Sequence, residues 1–471
     1  MDEQLPFPGA DDALGGHGPA KYPYDPGLMP PIHEPGSVEI GDLLAWLDAH
    51  ANLEAGGRLR APSLERIRPL LDLLGRPQAD YPLIHVTGTN GKTSTTRLIA
   101  HFLTARGLSV GAYTSPHLER VNERLAWGGE AIADAALAEE LRIVAVAEAA
   151  LLDRQGPAAR PTWFEIMTAA GYHWFSDLGV QVAVAEVGLG GLWDATNAAD
   201  AEVAVVTNVS IDHVEYLGPT RETIATEKAG IIKPGATLVL GEPDPGLHGI
   251  FLGRDPDRVL RPDVDFGVLR NAPAYGGRAV DLRTPLAEYS DLYLPVHGAY
   301  QATNAAIALT AAETFFGEPF PPDLVVEALA SFRAPGRLEV VGHVPLVILD
   351  GAHNAAGAEA LVQALEEEFV AGPRTLVVGL MREKDPTVML AALGATEADW
   401  VFACPPPSPR AMPAHQVADA ALELGVDPDR VEALGTVEEA VARALVVTPE
   451  AGQVVVAGSL YLVGAARAAL A

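Results

Sequence analysis

Short apolar runs alternate with longer helical stretches through the first two thirds of the chain. The segments LIHVT, LSVGAYT, VQVAVAEVGL, AEVAVVTNV and ATLVLG predict strands, because apolar and β-branched residues follow one another almost without interruption. The stretches between them carry apolar residues at three- and four-residue spacing, which predicts helices. Apolar strands separated by helices are typical of a parallel sheet that is covered on both faces.

A second series of strands and helices follows a Pro-rich bend near residue 334. Its strands are predicted in PLVILDGAHN, RTLVVGL, DWVFACPPP and QVVVAGSLYLVG. We therefore expect an α/β fold, with a P-loop parallel-sheet ATPase domain over residues 38–333 and a smaller Rossmann-like α/β domain over residues 334–471. Residues 1–37 are rich in Pro, Gly and Asp and are predicted to form a disordered or loosely attached leader. Residues 242–297 show no regular pattern.

Composition narrows the possible partners. A chain of 471 residues with 49% hydrophobic residues has enough apolar side chains for two or three cores. A formal net charge of −30 repels nucleic acid and anionic membranes, so we expect neither as a partner. A single cysteine, Cys404, together with the lack of a signal peptide or a membrane-length apolar stretch, predicts a cytoplasmic protein.

The chain contains very few lysines. It has five, against 27 arginines: Lys21, Lys92, Lys228, Lys233 and Lys384. Arginine cannot replace lysine where a compact ammonium must reach a phosphate or where an amine must be modified. Four of the five lysines are therefore candidates for chemistry, although random survival during drift towards arginine explains them equally well.

A phosphate-binding loop is predicted in HVTGTNGKTSTT, residues 85–96. Gly91, Lys92 and Thr93 match the last three positions of the pattern G-x-x-x-x-G-K-[ST], but Val86 occupies the position of its first glycine. The loop lies between a predicted strand and a predicted helix, so that backbone N–H groups and the positive helix end face the anion. Lys92 would neutralise the β and γ phosphates, and the Thr93 hydroxyl would bind phosphate or metal-bound water.

The segment TGTNGKT resembles the loop of the Mur ligase superfamily, which has this shorter glycine pattern. Further segments resemble one branch, the folylpolyglutamate synthases and the bifunctional dihydrofolate synthase/folylpolyglutamate synthases. They span residues 40 to 465 in order: YTSPHLERVNER, PTWFEIMTAAGYHWF, AEVGLGGLWDATN, VTNVSIDHVEYLG, IATEKAGIIKPG, HGAYQATNAAIAL, PGRLEV, LDGAHN and GSLYLVG. The resemblance implies an ATP-dependent, ADP-forming ligase that adds L-glutamate to dihydropteroate or to folates through an acyl phosphate.

The resemblance also implies two Mg²⁺ sites beside the nucleotide. Lys228 would carry a carbamate that provides an anionic oxygen ligand, and the alternative is an ion pair with Glu227. Glu186 also fits a salt bridge at a sheet end, His213 a capping or packed histidine, and Ser115 a turn residue. The implied metal ligands are Ser115, Glu186, His213 and Lys228, and the implied catalytic residues are Lys92, Lys228 and His213.

Residues from both predicted domains are expected to hold ATP. By the resemblance Asn304 contacts the base or phosphates, Arg337 a phosphate, and Asp350 the ribose or the nucleotide through water. The expected ATP-binding set is Thr89, Asn90, Gly91, Lys92, Thr93, Asn304, Arg337 and Asp350. His353, Lys384 and Arg410 are weaker candidates for the incoming glutamate. His353 and Asn354 also fit helix capping, and Lys384 also fits an ion pair with Glu383 or Asp385.

The segments that would hold the pterin-bearing substrate depart from the family at one point. The usual G-G-R-L-D-A-T-N is GGLWDATN here, so that Leu192 replaces an arginine and Trp193 a leucine. We interpret Trp193 as a stacking surface that compensates for the lost cation. The expected substrate-binding residues are Thr162, Trp163, Phe164, Glu165, Leu192, Trp193 and Asp194.

Three other functions remain open at this point. A Mur ligase acting on a nucleotide-sugar peptide, a cyanophycin-type synthetase and a non-ligating P-loop protein would all carry the same loop. The sequence does not decide between dihydropteroate, folates or both as acceptors, although a bacterial-looking single chain favours both. We expect a monomer whose partners are small molecules: ATP, L-glutamate and a dihydropteroate or folate.

Overall fold

The computed structural model describes residues 40–52 and 63–470, so the predicted leader over residues 1–37 lies outside the described residues. The described helices are α1 (Ile40–Asp48), α2 (Ile67–Leu73), α3 (Lys92–Ala105), α4 (Asp134–Gln155), α5 (Trp163–Asp177), α6 (Val214–Leu217), α7 (Arg221–Lys228), α8 (Pro245–Leu252), α9 (Tyr300–Phe316), α10 (Pro322–Ser331), α11 (Ala355–Glu368), α12 (Pro386–Ala392), α13 (Ala414–Glu423), α14 (Val437–Val447) and α15 (Leu460–Leu470).

The described strands form three sheets. They are β1 (Leu83–Thr87), β2 (Val110–Tyr113), β3 (Leu125–Trp127), β4 (Glu130–Ala131), β5 (Val182–Glu186), β6 (Val203–Val206), β7 (Thr237–Leu240), β8 (Arg258–Leu260), β9 (Gly267–Ala274), β10 (Gly277–Arg283), β11 (Glu288–Leu294), β12 (Glu339–His343), β13 (Leu346–Asp350), β14 (Arg374–Val378), β15 (Trp400–Ala403), β16 (Val431–Ala433) and β17 (Gln453–Ala457).

The first sheet has the order β4-β3-β2-β5-β1-β6-β7-β8. The strands β2, β5, β1, β6, β7 and β8 pair in parallel, whereas β3 and β4 pair antiparallel at one edge. Ile84 and Val86 of β1 pack on the side of α3 and α9, while Leu83 packs on the side of α1, α2, α4 and α5. Alternate side chains thus enter different cores, so β1 is buried along its whole length. The predicted parallel sheet covered on both faces is confirmed.

The segment that showed no regular pattern, residues 242–297, is more ordered than expected. It contains α8, β8 and a three-stranded antiparallel sheet of order β11-β10-β9. Only one face of this sheet is buried, and its register shifts between Val280 and Leu282 against β11. The shift interrupts the two-residue alternation that predicts a strand, which explains why the pattern was missed.

The second large sheet has the order β12-β13-β17-β14-β15-β16, with β12 antiparallel to β13 and the other pairs parallel. Helices α11, α12 and α13 cover one face, and α14 and α15 cover the other. This is the predicted Rossmann-like arrangement. The segment between Ser331 and Glu339 joins the two parts, and the exact domain boundary near residue 334 stays a prediction.

Candidate active site

The phosphate loop joins the carboxyl end of β1 to the start of α3. Gly91 has φ +80°, and a Cβ there would lie 2.5 Å from Asn304 Oδ1, so the loop requires glycine at this position. Val86, at the position of the missing first glycine, is a fully buried residue of β1. The strand therefore continues through that position, and the loop begins two residues later at Gly88.

Neighbouring side chains fix the loop. Asn208 accepts a hydrogen bond from the Asn90 N–H at 3.0 Å, and its own amide donates to the Asn90 carbonyl at 3.0 Å. Thr89 Oγ1 donates to the Ser210 carbonyl at 3.1 Å. At the start of α3, Lys92 Nζ donates to the Thr89 carbonyl at 3.1 Å. Because these bonds hold the loop from behind, its shape is formed in advance of any ligand.

Glu186, at the end of β5, joins two other predicted residues. Its Oε1 accepts a hydrogen bond from Thr93 Oγ1 at 2.8 Å, and its Oε2 accepts one from the Ser115 N–H at 3.1 Å. The side chain is 1% exposed and has no ion pair among the described residues, which rules out the salt-bridge alternative. Burial raises the pKa of Glu186, although the charge of Lys92 opposes this shift.

Lys228 ends α7 beneath the same loop. It is 4% exposed, and its Nζ donates to the Gly88 carbonyl at 2.7 Å. The alternative ion pair with Glu227 is not present among the described residues. Burial lowers the pKa of Lys228 well below its ordinary value, and the charge of Lys92 lowers it further. A lowered pKa favours the neutral amine, which is the form that adds carbon dioxide.

His213 is the residue before the start of α6 and has φ +50°. It lines a central cleft between the first and second large sheets. Its side chain makes no capping hydrogen bond, so the capping alternative is wrong. Burial lowers the pKa of His213 to about 3, which leaves a neutral imidazole at physiological pH. A neutral imidazole is the form that binds a metal ion.

Asp212 connects the two halves of the site. One of its oxygens lies 2.5 Å from Lys384 Nζ, and the other accepts a hydrogen bond from Asn354 Nδ2 at 3.0 Å. The same amide of Asn354 donates to Asn90 Oδ1 in the phosphate loop at 3.0 Å, while its Oδ1 caps α11 as the alternative predicted. His353 Nε2 lies 3.6 Å from Asp212. The alternative that Lys384 pairs with a sequence neighbour is therefore wrong.

The remaining predicted ATP ligands lie where the two halves of the site meet. Asn304 packs against Gly91, and its Nδ2 donates to Gln301 Oε1 at 3.0 Å. Asp350 is buried, and its two oxygens accept the N–H groups of Leu338 and Ala352, each at 2.8 Å. The Asp350 carboxylate is thus held by the backbone, and burial raises its pKa. Arg337 lies between the two sheets near enough for its charge to act on Glu186 and Lys92.

Five of the seven predicted substrate residues line the central cleft. Thr162 and Glu165 form a capping box at the start of α5, and Phe164 lies against Gly188. Trp163 and Leu192 are exceptions that do not line the cleft, and their place in the substrate site stays a prediction. The lining members are Thr162, Phe164, Glu165, Trp193 and Asp194.

These two exceptions have different causes. Trp163 points into the helical core, where the Arg124 guanidinium lies 4.5 Å above its ring. Leu192 is exposed outside the cleft, with its backbone against Gly230. Helical position alone does not tell which face of α5 meets the cleft, because both faces carry large side chains.

The cleft has a volume of about 1080 Å³ and lies between the first and second large sheets. It is also lined by residues that the sequence did not single out: Arg66, Tyr216, Met381, Arg382 and Tyr461. The position of Met381 and Arg382 just after the strand RTLVVGL was the available signal, because ligands bind at the carboxyl ends of parallel strands.

Among the described residues there is no cluster of three or more His, Cys, Asp or Glu side chains that could hold a metal ion. A magnesium ion does not need one, since it is usually bound by one or two carboxylates together with water and substrate phosphates. Glu186, directed at the phosphate loop, suits such a site. No helix in the described part of the chain is long and apolar enough to cross a bilayer.

Two family models match the chain: the Mur ligase middle domain over residues 131–312 and the Mur ligase glutamate ligase domain over residues 336–460. The fold and the site thus define a Mur-type ligase. The chain is 40% identical over 440 residues to the dihydrofolate synthase/folylpolyglutamate synthase of Mycobacterium tuberculosis. This alignment covers 86% of the chain and 89% of that protein. It therefore belongs to the dihydrofolate synthase/folylpolyglutamate synthase family.

Solved structures agree with this placement. The Mycobacterium tuberculosis folylpolyglutamate synthase complexed with ADP superposes with a TM-score of 0.86 at 38% identity, covering 92% of this chain and 98% of that one. A bifunctional folylpolyglutamate synthase/dihydrofolate synthase with Mn, AMPPNP and L-glutamate bound gives a TM-score of 0.77 at 29% identity, covering 91% and 98%. The resemblance inferred from the motifs is confirmed.

Proposed function

We propose that this chain is an ADP-forming ligase that couples L-glutamate to dihydropteroate, to folates or to both. It uses ATP and a divalent metal ion, as its family membership and the ADP, Mn and L-glutamate bound to its structural neighbours support. The observation that carries the proposal is the meeting of Lys92, Lys228 and Glu186 at the phosphate loop. Two lysines and a buried carboxylate at one loop suit an anionic, metal-bound phosphate group.

In this reaction the acceptor carboxylate attacks the γ-phosphorus of ATP, giving an acyl phosphate and ADP. The amine of glutamate then attacks the acyl carbon, and phosphate leaves. Such a transfer needs positioning and charge neutralisation more than covalent catalysis. Lys92 at the loop and Arg337 from the junction would supply the positive charge where it develops on the phosphoryl oxygens.

The proposed metal ligands are Ser115, Glu186, His213 and a carbamate on Lys228. The metal ion would neutralise phosphate charge when bound. His213 has the neutral imidazole that ligation needs, and a bound cation would oppose the rise that burial causes in the pKa of Glu186. A carbamate on Lys228 would place a negative charge near Lys92, and the positive charge of Lys92 would stabilise it.

The cleft between the two large sheets would enclose the acyl phosphate. Two side chains from loops that follow strands of the second large sheet close the cleft on one side. Asn354 contacts Asp212 and the loop residue Asn90, and Lys384 contacts Asp212. Closure excludes water, which would otherwise hydrolyse the intermediate. We further propose that the enzyme is a cytoplasmic monomer and that its substrates are small molecules, since its charge repels nucleic acid.

A coupled ADP-release assay with glutamate tests the proposal when dihydropteroate and tetrahydrofolate are offered separately. Lys92→Ala should abolish turnover of either acceptor. Lys233→Ala is the matched control, because Lys233 pairs with the exposed Asp200 at 3.3 Å away from the loop, and it should leave turnover unchanged. If the wild-type protein turns over neither acceptor but ligates a muramyl peptide, the proposed substrates are wrong.

A further inference from the structure

Among the described residues, four lysine and arginine side chains line the cleft, and three of them pair with a carboxylate. Lys384 holds Asp212 at 2.5 Å, and Arg66 Nε lies 3.1 Å from Glu165 Oε2. Arg410 pairs with Glu383. The fourth is Arg382, which has no ion pair among the described residues.

Arg382 is exposed in the cleft, and two hydrogen bonds to neighbouring backbone carbonyls orient it. Its Nε donates to the Ala411 carbonyl at 3.0 Å, and its backbone N–H donates to the Arg410 carbonyl at 2.9 Å. Met381 and Ala411 form an antiparallel bridge next to these bonds. One of the five guanidinium N–H groups is thus used for orientation, and the two terminal amino groups have no carboxylate partner.

The acidic neighbours of Arg382 in sequence do not neutralise it. Glu383 is bound by Arg410, and Asp385 accepts the N–H groups of Thr387 and Val388 at the start of α12, at 3.0 and 3.1 Å. An oriented guanidinium fork without a counterion matches the geometry of a free carboxylate. In a chain of net charge −30, such a group is one of the few that would attract an anion into the cleft.

We propose that Arg382 is the carboxylate receptor of the cleft. Its ligand is a carboxylate of a glutamyl unit, either of the incoming glutamate or of the glutamyl tail that a folate acceptor already carries. This assignment rests on the proposed function, since that function supplies substrates with such carboxylates. Arg382 thereby determines how well an amino acid or tail is bound, whereas the phosphate loop handles ATP.

Arg382→Gln removes the charge and the fork but keeps a polar side chain. The KM for the substrate whose carboxylate it holds should rise about 10- to 100-fold, as expected for the loss of charge-assisted hydrogen bonds. The KM for ATP should not change. Arg382→Lys should recover part of the loss, because it restores the charge without the planar fork. Arg430→Gln is the matched control, since Arg430 is an exposed arginine of the same sheet domain outside the cleft.

Two arms of the assay distinguish the sources of the carboxylate. With dihydropteroate as acceptor, which carries no glutamyl tail, a raised KM for glutamate identifies the incoming amino acid. With tetrahydrofolate bearing one or three glutamates, a raised KM for the folate that grows with tail length identifies the tail. Either result supports the proposal.

If Arg382→Gln behaves like Arg430→Gln in both arms while the wild-type enzyme is active, the assignment of Arg382 is overturned. A wild-type protein without glutamate-dependent ADP release would instead overturn the proposed function. Unfolding of each variant by urea should match the wild-type protein, because Arg382 is exposed.

Discussion

Replacing Arg278 by methionine should loosen the junction between the two parts of the molecule. Arg278 lies on β10 of the small antiparallel sheet, and its side chain is only 1% exposed. It pairs with Glu368, which is 2% exposed, and its Nη2 lies 3.0 Å from Glu367 Oε1. Both glutamates belong to α11, which covers one face of the second large sheet. The guanidinium Nε is bound by Asn271 Oδ1 at 2.5 Å, so the cation is fully enclosed.

The expected loss follows from what the substitution leaves behind. Glu368 would stay buried with only His297 Nδ1 and the Gly298 N–H as partners, each at 2.8 Å. Removing one member of a buried ion pair costs about 3–5 kcal/mol of unfolding free energy, because the other charge remains without compensation. Replacing both members by apolar residues, as in R278M/E368L, should recover most of this loss.

Arg270 provides a matched control on the neighbouring strand β9. It is 49% exposed and lies 3.3 Å from Asp291, which is 90% exposed. An exposed pair of this kind contributes at most about 1 kcal/mol, so Arg270→Met should change stability little. Urea unfolding of the wild-type protein, Arg278→Met, Glu368→Leu and the double variant R278M/E368L gives the coupling energy directly. If Arg278→Met costs no more than Arg270→Met, the buried pair does not hold the junction.

The same experiment has a defined pH dependence. Burial raises the pKa of Glu368, but the hydrogen bonds from His297 and Gly298 and the charge of Arg278 outweigh burial and hold the pKa below its ordinary value. A lowered folded pKa contributes stability above the unfolded value, about 4.3, and this contribution is lost as the pH falls through the folded value. The difference between wild type and Arg278→Met should therefore be full at pH 7 and shrink below about pH 4.

Three further predictions concern single sites. Cys404 is fully buried, and burial raises the pKa of its thiol to about 12, so a thiol reagent should label it only as the protein unfolds; immediate labelling of the native protein would contradict this. The hydrogen bond that His173 Nδ1 donates to Glu140, at 2.7 Å, raises the pKa of His173, so its contribution is present below about pH 6.5 and lost as the pH rises through the raised value. Glu140→Gln should thus cost about 1 kcal/mol more in urea unfolding at pH 6 than at pH 9, and equal costs would refute the assignment. Gly91→Ala should weaken ATP binding at least about tenfold in calorimetry, since the loop must leave φ +80° and displace Asn304; unchanged affinity would show that the loop is not rigid.

The sequence predicted those parts of the molecule that depend on local pattern. The parallel strands were found because apolar residues follow one another in them with few interruptions, and the phosphate loop because strand, glycines and helix are consecutive. The resemblance brought some distant residues together, such as Glu186 and Ser115, but other contacts between distant segments were not found. Asp212 and Lys384 are 172 residues apart, and neither neighbourhood indicates that they meet at 2.5 Å. Arg382 was missed for the same reason, since only the folded chain shows that other basic residues of the cleft are paired and that it is not.

The missing glycine of the phosphate loop and the position of Glu186 have one structural cause. Val86 pairs in register with Glu186 across β1 and β5, so its side chain must fill the core beside that strand. Glycine at this position would leave a cavity, at a cost of about 2 kcal/mol or more for a buried aliphatic side chain. Because β1 stays regular through Val86, the carboxylate of Glu186 is held at the height where Thr93 Oγ1 reaches it at 2.8 Å. A loop with an earlier glycine would end the strand sooner and would lose the strand pairing that places Glu186 within reach of Thr93. The shorter glycine pattern and the buried carboxylate therefore belong to one nucleotide site.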